Sequence, residues 1–330
     1  MPAEVNPEKE QAKLEAEERT QWEHQRILSY KKLRYDYSSY SPEDYYRGIF
    51  ERDYWQYRPA KDVSKGEARK SLHIGLAERI KAQLNSAQKT EIDDRIKAEM
   101  KRLQVQIDTV NQHKREQCNS FNERLRAKID SKKKAFLNGS PLEVRNYYTS
   151  VIDDDDYSLD GVHRYETHFS VKHHRADKRL VIDYQLPTFE DIPNIKEWAV
   201  NKNNELVAKQ FSQKDMLEIY EGIIMDLTVR VLGLVFDSDN HDVLSEAIFN
   251  GYCEYSEVQS PPTFILSVLV QKKQFDFTKV NRADFSSKHE IAKFESVKYL
   301  GDICTESPTK ELLERPPLKP ILPIQSNIYL

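Results

Sequence analysis

Between Leu76 and Asn138 the chain contains neither glycine nor proline, the two residues that most reliably break a helix. Such a stretch reads as helix, and it carries a matching apolar stripe. Ile92, Ile96, Met100, Leu103, Ile107 and Val110 recur at steps of 4, 4, 3, 4 and 3 residues. After a polar interruption at Lys114 the stripe resumes at Cys118, Phe121, Leu125 and Ile129. Unbroken, this helix would reach ~95 Å, so either it pairs along its length or it folds back as a hairpin. A second copy would make a coiled-coil homodimer. The favoured partner lies in the same chain: a helix expected over residues 8–35, with Leu14, Trp22 and Ile27 as its contacts. The breaks at Ser41-Pro42 and Pro59 then put an aromatic-rich tip or hinge in residues 37–75.

Asn138-Gly139-Ser140-Pro141 combines helix-stop and turn residues, which places a domain boundary there and ends a helical, coiled-coil arm of residues 1–140. Residues 141–330 follow a different pattern. A short helix from Pro141 with Ser140 as cap leads to the acidic run Asp153 to Asp156. Runs rich in β-formers at Tyr165 to Lys172 and Arg179 to Tyr184 suggest one hairpin, and those at Glu246 to Tyr255 and Thr263 to Gln271 a second. Between them Met216, Leu217, Tyr220, Ile223, Ile224, Leu227, Val231 and Leu234 mark a long helix capped by Ser212. Two hairpins packed on one helix make a compact α+β domain, with a Pro-rich tail (Pro316, Pro317, Pro320, Pro323) running extended.

Charged residues are 32% of the 330 and the mean hydropathy is -0.75, as expected for much exposed helix. There is no run of 18 apolar residues, and Glu4, Glu8, Lys9, Glu10 and Lys13 occupy the N-terminus, so a cytoplasmic protein without a membrane span is expected. Cys118, Cys253 and Cys304 lack CxxC spacing and read as buried thiols rather than a disulfide or zinc framework. The net charge of -4 conceals an asymmetry: residues 1–140 hold 29 Lys/Arg against 23 Asp/Glu, residues 141–330 hold 21 against 31.

No Walker loop, GxSxG elbow, HExxH or dinucleotide fingerprint occurs, so no cofactor is expected and enzyme readings lose their usual supports. A restriction-type nuclease needs an Asp and a Glu-x-Lys pair on adjacent strands; Asp183 qualifies for the first, but Val270-Gln271-Lys272 lacks the carboxylate. His163, His168, His173 and His174 lie close in sequence to the acidic run, yet strand alternation does not make them converge, and solvated hairpin histidines are the plainer reading. Residues 30–58 interleave eight tyrosines and Trp55 with basic side chains, among them Tyr35, Tyr45, Tyr46, Arg47, Arg52 and Arg58. Such a mixture stacks on bases, anchors a protein interface, or packs a helical hinge. The densest basic run, Lys114, Arg115, Arg124, Arg126, Lys128, Lys132, Lys133 and Lys134, is a solvated helix face or a phosphate-binding arm.

Leu180-Val181-Ile182-Asp183-Tyr184-Gln185-Leu186-Pro187 resembles a region of bacterial proteins identified as modification-dependent, Mrr-type restriction endonucleases. Leu217-Glu218-Ile219-Tyr220, Ala247-Ile248-Phe249-Asn250-Gly251, Phe264-Ile265-Leu266-Ser267-Val268 and Lys319-Pro320-Ile321-Leu322 are similar to further segments of that region, in the same order. The resemblance covers roughly residues 76–325. In those relatives the nuclease domain follows this region, whereas this sequence ends at Leu330, so the resemblance implies a defence-related context without nuclease activity. The expectation is a non-catalytic scaffold or recognition component of a bacterial restriction or antiphage system. Its partner would be a protein, such as a nuclease or ATPase subunit, or a second copy. The alternative is DNA or RNA binding through the aromatic and basic residues, and a cryptic metal-dependent nuclease is the remaining one.

Overall fold

A computed structural model describes residues 7–30, 33, 41–155, 157, 166–254, 263–280, 282 and 284–298. The chain divides into two compact units, one of Tyr46–Lys132 and one of Met1–Tyr45 with Lys133–Leu330. Tyr35, His163 and the Pro-rich tail lie outside the described residues.

The helical unit is organised along α5 (Ser86–Leu137), which the sequence stripe anticipates. Its neighbour in this unit is the chain that immediately precedes it: the greater part of α2 (Pro42–Asp53), an extended strap over residues 54–64, then α3 (Lys65–Ser71) and α4 (Leu76–Leu84). Contacts run antiparallel. The Tyr46 hydroxyl meets the Lys132 carbonyl, Trp55 packs edge-on against Phe121, the Ala60 amide bonds Asn111, and Ser71 bonds Glu99. Ala68 and Ile74 pack with Ile96 into a small core, flanked by Leu72, Ile92, Met100 and Leu103. The chain does fold back on α5, but through residues 46–84 rather than the expected helix of residues 8–35, and its turn is at Asn85 rather than in residues 37–75.

Helix α1 (Pro7–Tyr30) belongs to the other unit, contrary to the expected pairing within a 1–140 arm. Leu14 and Trp22, expected as contacts, are 60% and 51% exposed. The packed face carries Ala16, Thr20 and Glu23 instead. The small Ala16 and Thr20 let β3 (Ile195–Val200) approach until the Thr20 hydroxyl accepts the Trp198 amide at 2.9 Å. In that way α1 covers backbone that β4 (Leu206–Gln210) leaves unpaired.

Helix α5 closes with a Schellman motif: Ser140 N–H donates to Ala135 and Gly139 N–H to Phe136, with Gly139 at φ 69°. Helix α6 (Pro141–Asp153) follows; Ser140 stands at its N-cap position without a side-chain capping bond. The main sheet has the order β1 (Phe169–His174), β2 (Arg179–Gln185), β5 (Glu246–Cys253), β6 (Thr263–Gln271), β7 (Glu295–Lys298). The two expected hairpins are present, fused into one mixed sheet because β2 and β5 pair in parallel through a crossover. That crossover contains the unanticipated β3–β4 hairpin and α7 (Gln213–Asp237), capped by Ser212 as expected. Two short helices, α8 (Phe277–Val280) and α9 (Ser287–Ile291), precede β7.

Helix α7 is buried on all sides from Ile223 to Phe236 except at Asp226. Its Tyr220 hydroxyl reaches the Pro187 carbonyl and Cys253, so α7 covers the sheet face that carries Leu186, Phe249 and Cys253. Gly251 is required on that face, since a Cβ there would stand 2.3 Å from Leu186 Cδ1.

Within α7 sits a fully buried cation. Arg230 is 1% exposed; Nε and Nη2 donate to the two oxygens of Asp155 at 2.7 Å each, Nη1 donates to the Leu33 carbonyl at 2.6 Å, and the guanidinium lies 5.3 Å from the Tyr157 ring centre. Removing one partner strands the other charge in the core. Arg230→Ala or Asp155→Ala should cost about 3–5 kcal/mol in urea unfolding, and Arg230→Met with Asp155→Leu should recover most of it. A single-variant loss below about 1 kcal/mol, the value of a surface pair, would refute the burial argument.

His173 on β1 is the opposite case: it is 7% exposed and neither ring nitrogen has a hydrogen-bond partner. Burial first, then the charges of His174 and Arg175, push its pKa from 6.5 down to about 4, with Asp239 opposing. The neutral ring therefore contributes stability that is complete above pH 6.5 and is lost as pH falls from 6.5 towards 4, on the order of 3 kcal/mol. His173→Phe should remove that part of the pH dependence of unfolding. Equal acid sensitivity in variant and wild type would count against it.

Candidate functional site

An extended strap cannot satisfy its own backbone, and α5 supplies the partners. Asn122 treats Trp55 as a neighbouring strand would: its Oδ1 accepts the Trp55 amide and its Nδ2 donates to the Trp55 carbonyl, both at 3.0 Å. The Cys118 thiol donates to the same carbonyl at 2.8 Å. Asn111 Oδ1 accepts the Ala60 amide at 2.9 Å and Gln104 Oε1 the Val63 amide at 3.0 Å. Residues 104, 111, 118 and 122 fall on one helical face, two turns and then one turn apart. These amides were not singled out from sequence, although the polar interruption of the stripe marks where the strap crosses.

The aromatic and basic residues are largely spent on this packing. Arg115 stacks on Tyr57 and Arg126 on Phe50, at 5.4 and 5.2 Å from the ring centres. Tyr46 is buried, and Trp55 is 45% exposed with its edge against Phe121. Arg52 pairs with Asp53, and Arg124 donates to the Ser120 carbonyl of its own helix. Arg47, Arg58, Lys114, Lys128 and Lys134 are exposed, whereas Lys132 is half-buried. In the other unit Tyr45 packs edge-on against Tyr147, and Lys133 pairs with Glu43 at 2.9 Å. Lys133, assisted by His241, holds the Glu43 carboxyl down at about 2.

Beside the strap the helical unit keeps an open apolar cleft of about 320 Å³, lined by Ala60, Val63, Leu103, Ile107 and Val110 with Glu67 and Gln106 at its rim. Val110 is 49% exposed and Phe121, farther along the same flank of α5, is 39% exposed. Isolated exposed apolar residues are ordinary, but a cleft lined by several marks a surface able to receive another apolar group.

In the other unit Asp183 stands in a polar row across the sheet face opposite α7. The register aligns Ser170, Asp183, Asn250 and Ser267 on four successive strands. Ser267 donates to Asn250 Oδ1 at 2.6 Å, Asn250 Nδ2 to Asp183 Oδ1 at 2.9 Å, and Ser170 to Asp183 Oδ2 at 3.2 Å. Lys172 lies 3.7 Å from the same carboxylate. Lys272, the lysine of the considered nuclease pair, points elsewhere: it binds Asp239 and Asp242. Burial pushes the Cys253 thiol up to about 12, which leaves it protonated and unreactive at neutral pH.

His168 is exposed, His173 buried and His174 half-buried. His168 borders a cavity of about 290 Å³ with Asp153, Asp155, Glu166 and Thr167, but Asp155 is committed to Arg230. Among the described residues no group of three or more His, Cys, Asp or Glu is placed to hold a metal ion, and no helix is long and apolar enough to cross a membrane.

Compared with family models, with curated proteins and with solved structures, the chain matches none.

The strap offers a direct check on the amide face. Asn122→Ala leaves the Trp55 amide and carbonyl without their side-chain partner, at a cost of about 1–2 kcal/mol, and should make Trp55 the earliest site of chymotryptic cleavage in the helical unit. Cleavage unchanged from wild type would mean that the strap is held by its side chains.

Proposed function

We propose that the protein is a non-catalytic assembly component, a scaffold or recognition subunit whose helical unit docks another protein chain. The observation that carries this reading is the apolar cleft between the strap and α5, on the flank of α5 that also exposes Phe121. The polar row supports it from the other side: both Asp183 oxygens already accept hydrogen bonds within the sheet. The resemblance to the region preceding the nuclease in Mrr-type proteins supplies the setting, a bacterial restriction or antiphage system in which a nuclease or ATPase subunit does the chemistry.

A second reading, binding to a nucleic-acid backbone, rests on charge. Residues 46–132 hold 20 Lys/Arg against 13 Asp/Glu, and Lys114 and Lys128 are exposed.

A photo-crosslinking residue at position 110 should give a discrete protein adduct in the cell of origin, and the same residue at Val105 should not. Ile107→Asp, with 110 still carrying the probe, should abolish the adduct. Absence of any adduct, together with DNA or RNA binding that weakens steeply with salt and falls in Lys114→Glu/Lys128→Glu, would replace this reading by the second. Mg- or Mn-dependent cleavage lost in Asp183→Ala would overturn both.

A further inference from the structure

Helices α4 and α5 are separated by one residue. Asn85 alone leaves helical geometry, at φ -134° and ψ 115°, and caps the new helix with its own side chain, Oδ1 accepting the Ala87 amide at 3.1 Å. The stretch from Leu76 to Leu137 contains no glycine or proline. Nothing in its sequence other than this cap prevents α4 and α5 from forming a single helix. A break in a helix forfeits up to four amide and four carbonyl partners on its two sides, which a continuous helix would recover. The hairpin is therefore held closed by packing rather than by its turn.

Near the turn that packing consists of Ala68, Ile74 and Ile96, with Leu72, Ile92, Met100 and Leu103 half-covered; Tyr46, Val63, Cys118 and Ile129 are buried farther from it. Ser71–Glu99 and Glu78–Arg95, at 2.7 and 3.5 Å, add exposed polar ties. Leu76 and Ile80 stay outside it, 69% and 51% exposed. Along a continuous helix they would stand about 120–160° around from Ile92 and Ile96, outside the row used in the interface, so they stay exposed on the rod.

We propose that Asn85 is an exchange hinge and that the partner the helical unit fits is a second copy of this chain. With Asn85 helical, α4 and α5 become one rod, and the residues before the hinge pack on the second copy's α5 through the contacts they now make at home. Every closed contact is reproduced between copies, including Thr20 with Trp198 and Leu33 with Arg230 in the other unit. The new contact is made at the hinge, where the two rods cross. A one-residue connection between elements this long is the kind of hinge that favours such exchange.

This inference rests on the assembly reading for the docking role of the helical unit. A monomeric chain that still gives a heterologous adduct from position 110 would remove the exchange and leave that reading standing.

The test uses the full chain with Ala68→Cys and Ile96→Cys in a Cys304→Ser background. Light scattering at tens of micromolar should report a dimer, and oxidation should link 68 to 96 between chains, giving a covalent dimer on a non-reducing gel. Asn85→Ala removes the cap and favours helix, so it should raise the dimer-to-monomer ratio about tenfold. Ser86→Pro puts proline at the first position of α5, which suits the hairpin but breaks a continuous helix, and should return the chain to a monomer. A monomer in both wild type and Asn85→Ala, or a dimer whose 68–96 disulfide closes within each chain, overturns the proposal. Should the cysteine pair impair folding, light scattering of Asn85→Ala against Ser86→Pro decides alone: equal masses reject the hinge.

Discussion

A single charge in the core governs how the sheet-bearing unit is put together. Helix α7 is apolar enough to be enclosed on every side, yet Arg230 lies within its buried stretch. A guanidinium there is tolerable only if all its donors are met and its charge is neutralised. Asp155 supplies a planar two-point match, the Leu33 carbonyl takes the remaining edge and Tyr157 covers a face. Satisfying this one side chain draws the segment after α1 and the segment after α6 onto the same helix. Segments distant in sequence are thereby fixed by a polar requirement, not by apolar burial alone.

The helical unit solves a different problem. A long helix needs a partner, and its nearest one is interrupted by Pro59, which enforces an extended strap with unmet amides. Helix α5 answers with amide side chains where the strap crosses and aliphatic ones where α3 and α4 return. Arg115 stacks on Tyr57 of the strap and Arg126 on Phe50 of α2, which engages part of the charge that looked available for a polyanion. Besides the exposed Arg47, Arg58, Lys114 and Lys128, apolar surface also remains open: the cleft around Val110 and the outward side of α4.

Asp183 illustrates how a residue type that suggests catalysis becomes structural. Its neighbours across the sheet are Asn250 and Ser267, which donate along a chain ending at the carboxylate. A row of this kind penalises register slips, because moving any strand by one residue would turn its polar member to the apolar face. The same carboxylate beside a Glu and a Lys would have been a metal site; here each of its oxygens accepts a hydrogen bond within the sheet.

Much of the architecture was readable in one dimension. The glycine-free stretch, the Asn138-Gly139-Ser140-Pro141 stop, the α7 periodicity and the four β-rich runs all appear as elements near their expected bounds. These depend on local sterics and on side-chain periodicity, which the order of residues determines by itself. The break at Asn85 was not readable, because asparagine is only mildly unfavourable in a helix and packing of Ile74 on Ile96 outweighs it. The partner of α1 is not legible in its sequence, because its large apolar residues point to one face, whereas the close approach to β3 requires the small ones, Ala16 and Thr20. The parallel pairing of β2 with β5, the neutralisation of Arg230 and the polar row around Asp183 were decided only in three dimensions. Each joins residues far apart in the chain, and no local preference encodes which distant group will answer a buried charge or an unpaired amide.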